Sequence, residues 1–470
     1  MSPSLENLLR NTKSLRRFYR AAPPVLRNFL LNLRARPLAR LRYSGNSMAK
    51  LEQLLVRDRW SGNELNAYVQ NQRERWAVLA MQSPYYYENG QGVTTTCDFP
   101  VLTREEARRS AVRLCTSSAS RAIRVFTSGA SGSGMPVWWD PGAYAWNWAY
   151  EMKHKHWAGV DPRAWRVTFY GAQVIPLNQR RPPFWMVNQP ERQVLMSIFH
   201  ATEENAHAYV DFLESQQGKV LEGFPTVLWQ VARYVRALKG SLQFQAVFST
   251  GEPLFPFMRA EIESAFRAKA YDHYGMTEFA GLILECEQGG YHALLDYGDL
   301  EILGKKGERL PPGEEGDLVW TGFLNPAMPF IRYRIGDRGL WEKRSCPCGR
   351  PYPLVQPTLT RDSDYLSTPS GQLYSPRAIN QVLKDKVSFR FCQFIQRSDD
   401  LVVVRIVPTP GLELRQELDE VKSALREMLG KEVIVEEEIA DEPLRRGSQG
   451  KIPLILSQIL PPHPQGSTSC

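Results

Sequence analysis

From residue 166 onward, short runs rich in β-branched and aromatic residues alternate with longer amphipathic stretches. RVTFYGAQV gives way to ENAHAYVDFLESQQ and TVLWQVARYVRALK, then to LQFQAVFST and FMRAEIESAFR. Strand-like runs separated by helix-length segments predict an α/β domain whose sheet is at least partly parallel. Residues 299–343 change character: DLEIL, GDLVWTG and FIRYRIGDRGLWE carry turn signals with no helical stretch between them. They predict a β-barrel-like module.

Past CPCGRPYPL and TLTRDSD the chain enters a second αβ stretch, with LVVVRIVP, a charged helix near 412–429 and the strand EVIVEEEI. At 470 residues the chain holds about three domain-sized units. The expected organisation is a basic amphipathic helical arm over 1–48 and a large domain with mixed α/β sheets over 49–359. A small mobile C-terminal α+β domain follows over 360–460, then a disordered tail over 461–470. Within the large domain a helix is expected over 103–116, with Thr103 as its cap and Glu106 at capping-box spacing.

The charge is concentrated at one end. The net charge is +8, yet residues 1–42 hold ten Lys or Arg against the single acid Glu6, so the rest of the chain is close to neutral. A high overall pI is therefore no sign of nucleic-acid binding. Apolar residues at helical spacing lie between those cations, interrupted at Pro23-Pro24 and Pro37. Two readings follow: an arm docked on the main domain with a solvated basic face, or attachment to anionic lipid or a membrane-bound partner. No apolar run approaches the roughly 18 residues of a membrane span. Seven sparse cysteines, odd in number, do not make a disulfide scaffold. The expected location is the cytoplasm, with a peripheral membrane contact as its variant.

The run AIRVF ends in Thr127-Ser128-Gly129-Ala130-Ser131-Gly132-Ser133-Gly134. Backbone N–H groups freed by glycine, together with hydroxyls, can wrap phosphate oxygens. The loop lacks the Gly-Lys-Ser/Thr of a Walker loop, and alone it is as readily an ordinary turn. Further along come Ser249-Thr250-Gly251-Glu252-Pro253 with YDHYGMTE (271–278), then FIRYRIGD (330–337), Arg361-Asp362-Ser363-Asp364, and Gly447-Ser448-Gln449-Gly450-Lys451. Each is weak alone; their order and spacing are specific.

In that order the chain resembles the adenylate-forming superfamily of acyl-CoA synthetases and peptide-synthetase adenylation domains. It looks closest to the phenylacetate–CoA ligase branch, with the CapK-like proteins of polysaccharide biosynthesis gene clusters, over roughly residues 50–455. The resemblance implies that Thr127, Ser128, Gly129, Ser131 and Gly132 hold the phosphates of ATP. It implies an adenine pocket of Gly251, Glu252 and Pro253, with Tyr274 and Gly275 stacked on the base. Thr277 would contact the α-phosphate, Glu278 would hold Mg²⁺ and Asp337 would accept the ribose hydroxyls. Arg361 would sit at the domain junction, and Lys451 would reach the carboxylate and α-phosphate from the small domain.

The implied activity is that of an AMP-forming acid–thiol ligase. It activates a small organic or aryl acid as acyl-AMP, with release of pyrophosphate, and passes it to CoA. Transfer to an amine or hydroxyl acceptor, or a catalytically weak nucleotide-binding scaffold, are the alternative readings. The oligomeric state stays open, a homodimer among the options. The chemistry suits these residues, because carboxylate and triphosphate are both anions whose repulsion must be neutralised. Departures from the usual pattern are Ala130, Ser133 and Gly134 in the loop, where Pro is expected at 134, and Thr360 and Ser363 around Arg361.

Cys286-x5-His292 followed by Cys346-Pro347-Cys348-Gly349 gives two close ligand pairs suited to a closed, structural Zn²⁺ site with no catalytic role. Trp138, Trp139, Trp146, Trp148, Trp157, Trp165 and Trp185 crowd one stretch. An aryl-acid pocket would use such rings, but core packing is their commoner use.

Overall fold

The structure, a computed structural model, describes residues 22–127, 134–170, 174–176, 178–358, 365–374, 376–383, 386, 388–430, 432–444 and 454–459. The alternation in the sequence folds into one eight-stranded mixed sheet. Its strands are β1 (Arg166–Phe169), β2 (Trp185–Asn188), β3 (Gln193–Met196), β4 (Val220–Gly223), β5 (Ala246–Thr250), β6 (Ala270–Gly275), β7 (Leu282–Glu285) and β8 (Tyr291–Ala293). They lie in the order β8-β7-β6-β5-β4-β1-β3-β2. The central run from β6 to β3 is parallel, and antiparallel strands finish both ends.

Helix α1 (Pro24–Tyr43) leads the described chain, and α2 (Pro141–Trp157), α3 (Pro225–Lys239) and α4 (Pro256–Phe266) pack on the sheet. The period-2 alternation of β5 shows how. Val247 joins the large cluster formed with α3 and α4, while Ala246 and Phe248 point to the opposite face beside Val160 and Tyr271. Both faces are buried, as parallel strands require.

The second sheet holds β9 (Gly298–Leu303), β10 (Gly316–Gly322), β11 (Tyr333–Trp341) and β12 (Val355–Thr358). Leu102–Thr103 runs parallel to the start of β11, and β12 runs antiparallel to its end. This ladder occupies the place of the barrel-like module expected over 299–343 and is joined by strands outside that range; among the described residues its pairings do not close a barrel. In the C-terminal part, β13 (Phe389–Ser398), β14 (Leu401–Pro408), β15 (Ile434–Ile439) and β16 (Ile455–Ser457) form a sheet ordered β15-β14-β13-β16, accompanied by α5 (Arg415–Leu429). Gln372 donates to the Ala201 carbonyl at 3.1 Å, and Arg180 pairs with Glu427 at 2.7 Å, so this part touches the main sheet's surroundings.

Two local expectations are corrected. The helix expected over 103–116 spans only Arg104–Arg109. Thr103 does cap the Glu106 amide at 3.2 Å, but the Glu106 carboxylate accepts from the Tyr85 hydroxyl at 2.6 Å instead of closing a capping box. Pro37 does not interrupt α1, which runs through it. The carbonyl that loses its donor there is that of Leu33, a residue on the exposed face.

Helix α1 seals the edge of the sheet. The Asn28 side chain accepts from the Val187 amide at 3.0 Å; that of Asn32 donates to the Val187 carbonyl at 2.8 Å and accepts from the Gln189 amide at 2.8 Å. Two asparagines one turn apart thus take the place of a ninth strand.

On α2, His154 is 1% exposed, with the rings of Phe248 and Tyr271 at 5.0 and 6.1 Å, and its Nε2 donates to the Glu285 carbonyl at 3.0 Å. Burial, helped by the nearby His273, pushes its pKa down to about 3 from the ordinary 6.5. The unfolded chain takes up a proton at this residue below pH 6.5, and the folded chain does not until about pH 3. Stability from this group is therefore complete above pH 6.5 and is lost as pH falls, by up to about 1.4 kcal/mol per unit. Urea unfolding at stepped pH should show that slope between about pH 6 and 4, flattened in His154→Gln; an unaltered slope would assign it to other groups.

Candidate functional site

Strands Ile123–Phe126 and Pro136–Trp139 pair antiparallel, Ile123 opposite Trp139 and Phe126 opposite Pro136. The Ser/Gly run falls between these two strands in the sequence. Thr127 closes its base: its amide donates to the Met135 carbonyl at 2.9 Å, and its hydroxyl accepts from the Met135 amide at 3.0 Å. Ser128, Gly129, Ser131 and Gly132 lie outside the described residues. The closure accounts for Gly134, since a Cβ there would lie 1.9 Å from the Thr127 carbonyl oxygen.

The hairpin is fastened where β6 leaves the sheet. Trp139 Nε1 donates to the Thr277 carbonyl at 2.7 Å, and its ring stacks on Phe279 at 4.6 Å. Next to Thr277, the Glu278 carboxylate is 5% exposed and accepts from the Tyr333 hydroxyl at 3.1 Å. Tyr274 donates its hydroxyl to Asp337 Oδ2 at 2.9 Å. Tyr333 and Asp337 both belong to β11, so the second sheet grips the exit of β6 at two points. Burial pushes the Tyr333 phenol well above its usual range, with Glu278 beside it adding to the shift. It stays a donor.

Gly251-Glu252-Pro253 follows the end of β5. Gly251 has φ +86°, the left-handed region that suits glycine. The Glu252 carboxylate accepts from the Thr226 hydroxyl at 2.7 Å and amide at 3.2 Å, in the first turn of α3. Gly275 has no room for a side chain, because a Cβ would meet His273 Nε2 at 2.8 Å. The structure thus brings Thr277, Glu278, Tyr274, Gly275 and Asp337 together at the carboxyl ends of parallel strands, with Thr127 on the attached hairpin. Ligands bind open α/β sheets at such ends. Arg361 and Lys451 lie outside the described residues.

Sequence reasoning missed four residues here. Trp139 was visible as part of the tryptophan cluster and Tyr333 as part of FIRYRIGD. His273 on β6 was visible as part of YDHYGMTE, without a role of its own, and Glu151 on α2 carried no signal; the two meet only in three dimensions, at 3.3 Å. Burial alone would lower the His273 pKa, but the carboxylates of Glu151, Asp272 and Glu222 together outweigh it and the net shift is upward. Burial likewise opposes the charge on Glu151, which His273 nevertheless holds below the ordinary carboxylate range.

The four candidate metal ligands also come together. Their ligand atoms all lie within 4.8 Å of one another, with Cys286 Sγ 3.6 Å from Cys346 Sγ and Cys348 Sγ 3.3 Å from His292 Nε2. His292 Nδ1 donates to the Tyr352 carbonyl at 2.8 Å, which fixes the tautomer and leaves Nε2 facing the sulfurs. A Cβ on Gly290 would lie 2.9 Å from Cys346 Sγ, so glycine makes the space. Cys286 follows β7 and His292 lies in β8, while the cysteine pair sits between β11 and β12. The cluster joins the two sheets. Burial raises the Cys286 thiol to about 12, so displacing its proton calls for a cation. The donor set and its enclosure fit tetrahedral Zn²⁺.

The tryptophans pack. Trp148 meets Tyr43 edge-on at 5.7 Å beneath the Arg42 guanidinium, Trp185 stacks on Phe212 at 3.9 Å, and Trp157 donates to Asp58 at 2.7 Å.

No protein-family model matches the chain. Protein CapK of Staphylococcus aureus is 24% identical over 430 residues, which span 88% of this chain and 92% of that protein. Phenylacetate-coenzyme A ligase of Thermus thermophilus is 32% identical over 137 residues, only 28% of this chain and 31% of the relative. Among solved structures, 2-hydroxyisobutyryl-CoA ligase in complex with 2-HIB-AMP and CoA superposes with a TM-score of 0.53 at 17% identity. That match covers 86% of this chain and 91% of the other, and a likeness at that identity is one of fold.

Gly134→Ala should open the base of the hairpin and lower stability by about 1–3 kcal/mol in urea unfolding; an unchanged midpoint would mean that the Thr127 carbonyl yields without strain.

Proposed function

The chain belongs to the adenylate-forming superfamily, and from this premise we propose that it is an ATP-dependent acid ligase. It activates a small organic acid, aryl acids included, as acyl-AMP and transfers the acyl group to CoA. One observation carries the reading: Trp139 to Thr277, Tyr333 to Glu278 and Tyr274 to Asp337 gather the phosphate-loop hairpin, a buried carboxylate and a second carboxylate at the ends of β5 and β6.

In this reading the loop after Thr127 wraps the triphosphate, and Thr277 faces the α-phosphate. Asp337, oriented by the Tyr274 hydroxyl, accepts the ribose hydroxyls, while the Tyr274 ring and Gly275 pack on the base. Glu252 is committed to the first turn of α3, so it shapes the adenine side by fixing the backbone of 251–253. Glu278 would hold Mg²⁺, whose charge would screen the phosphates from the incoming carboxylate. Lys451 closes the site from the C-terminal part, with Arg361 at the junction. Withdrawal of that lysine would free the acyl-adenylate for a thiol. Organisation into a large domain over 49–359 and a small one over 360–460 belongs to this proposal, as does membrane attachment through the basic N-terminus. No helix of the described residues is long and apolar enough to cross a membrane.

ATP–pyrophosphate exchange against a panel of aryl, short-chain, hydroxy and amino acids tests the activity. Exchange should depend on one class of acid, and Lys451→Ala should lower it at least about 100-fold. Exchange untouched by that substitution, or absent with every acid despite ATP binding, would overturn the reading.

The cysteine–histidine cluster is proposed to hold one structural Zn²⁺. Metal analysis of the purified protein should find one zinc per chain, lost in Cys348→Ser together with several degrees of melting temperature. Wild-type protein without zinc would refute the assignment.

A further inference from the structure

Helix α1 has two faces of different character. Asn28, Asn32, Ala35 and Ala39 turn toward the body. Val25, Phe29, Leu33, Arg36 and Arg40 follow one another at intervals of four, four, three and four residues. At 100° per residue they fall within an arc of about 80°. Val25 is 82% exposed, Phe29 62% and Leu33 51%. Arg36 and Arg40 are exposed as well. Three large apolar side chains therefore stand outward on a helix that is already anchored, and two cations continue the same stripe.

Beside those cations is a cavity of about 330 Å³, lined by Arg36, Arg40, Tyr43, Arg163 and Arg192 among others, with no acid in the lining. Arg192 donates to the Arg163 carbonyl at 3.2 Å, and the Arg163 guanidinium sits 5.9 Å from the centre of the Tyr43 ring. Among the described residues, no carboxylate pairs with any of these four arginines. Arg27 and Arg42 on the same helix differ, since both are engaged inside the protein, with Gln179 at 2.9 Å and Glu191 at 2.6 Å.

Resting on the reading that the N-terminus attaches to a membrane, we propose that this face of α1 is the docking surface and that it takes an anionic lipid bilayer. Val25, Phe29 and Leu33 enter the boundary between headgroups and acyl chains, and the four-arginine cavity receives a phosphate-bearing headgroup. Charge complementarity selects this occupant. A second copy of the chain would set the same arginines against each other across a two-fold axis. A nucleic acid would place its phosphates against Val25, Phe29 and Leu33. A bilayer with anionic headgroups satisfies both halves of the stripe.

Co-sedimentation of the full chain with vesicles of phosphatidylcholine, with or without about one-third phosphatidylglycerol, tests this. Wild type should sediment with the anionic vesicles and not with the neutral ones. Phe29→Ser with Leu33→Ser, and separately Arg36→Glu with Arg40→Glu, should each weaken binding at least about tenfold. Melting temperature and pyrophosphate exchange should not move, because these side chains face water. Arg163→Glu with Arg192→Glu should act in the same direction through the cavity. Deletion of residues 2–21 should leave substantial binding. Loss of binding on that deletion, with all three paired variants sedimenting like wild type, would overturn this surface while sparing attachment through the basic segment. Failure of wild type to bind either vesicle would sink both. A concentration-dependent dimer that the serine variants dissolve would give the face to a second copy instead.

Discussion

A buried chain of alternating charges holds the middle of this molecule together. Arg42 pairs with Glu191 at 2.6 Å, Arg166 reaches Glu191 at 3.2 Å and Glu222 at 3.3 Å, and Lys155 meets Glu222 at 2.6 Å. The Tyr43 hydroxyl accepts from Arg166 at 2.6 Å and that of Tyr144 from Arg42 at 2.7 Å, so the guanidinium groups are served on several sides. Burial pulls the Lys155 pKa down even though Glu222 opposes it. Charges this deep are tolerable only as a complete set, since removing one partner strands another in a medium that solvates it poorly. The set spans α1, α2, β1, β4 and the turn before β3. It therefore fixes where the arm docks and how two neighbouring parallel strands sit beneath α2.

The candidate site inherits that order. β4 leads into the first turn of α3, where Glu252 binds Thr226; β5 and β6 end beside it; and β11 supplies Tyr333 and Asp337 from the second sheet. The cysteine–histidine cluster ties the same two sheets from farther along β7 and β8. Two sheets that meet along one seam thus share the site at one place and the cluster at another.

How much of this was legible varied with the kind of signal. The alternation of short and long apolar stretches announced the parallel sheet, because crossover helices leave a period that spacing alone reveals. The paired Cys and His were visible as ligand types at close intervals. Local rules failed where a distant group competed. Glu106 left its capping box for Tyr85, and Pro37 stayed within α1 because packing against β2 and Val187 outweighs one missing hydrogen bond. The contacts that assemble the site join residues 138, 55 and 63 positions apart, and no periodicity encodes such a meeting.

The sequence by itself determined the α/β class, the ordered motifs, the pairs of soft ligands and the concentration of positive charge at one end. Each depends on local composition or spacing, and the chain carries those wherever it goes. Only the tertiary structure decided which arginines are buried partners and which face outward, because burial depends on what lies across the fold. Arg27 and Arg42 belong to the core, whereas Arg36 and Arg40 on the same helix do not. The sequence reads all four alike; the 100° step of the helix and the edge of β2 tell them apart.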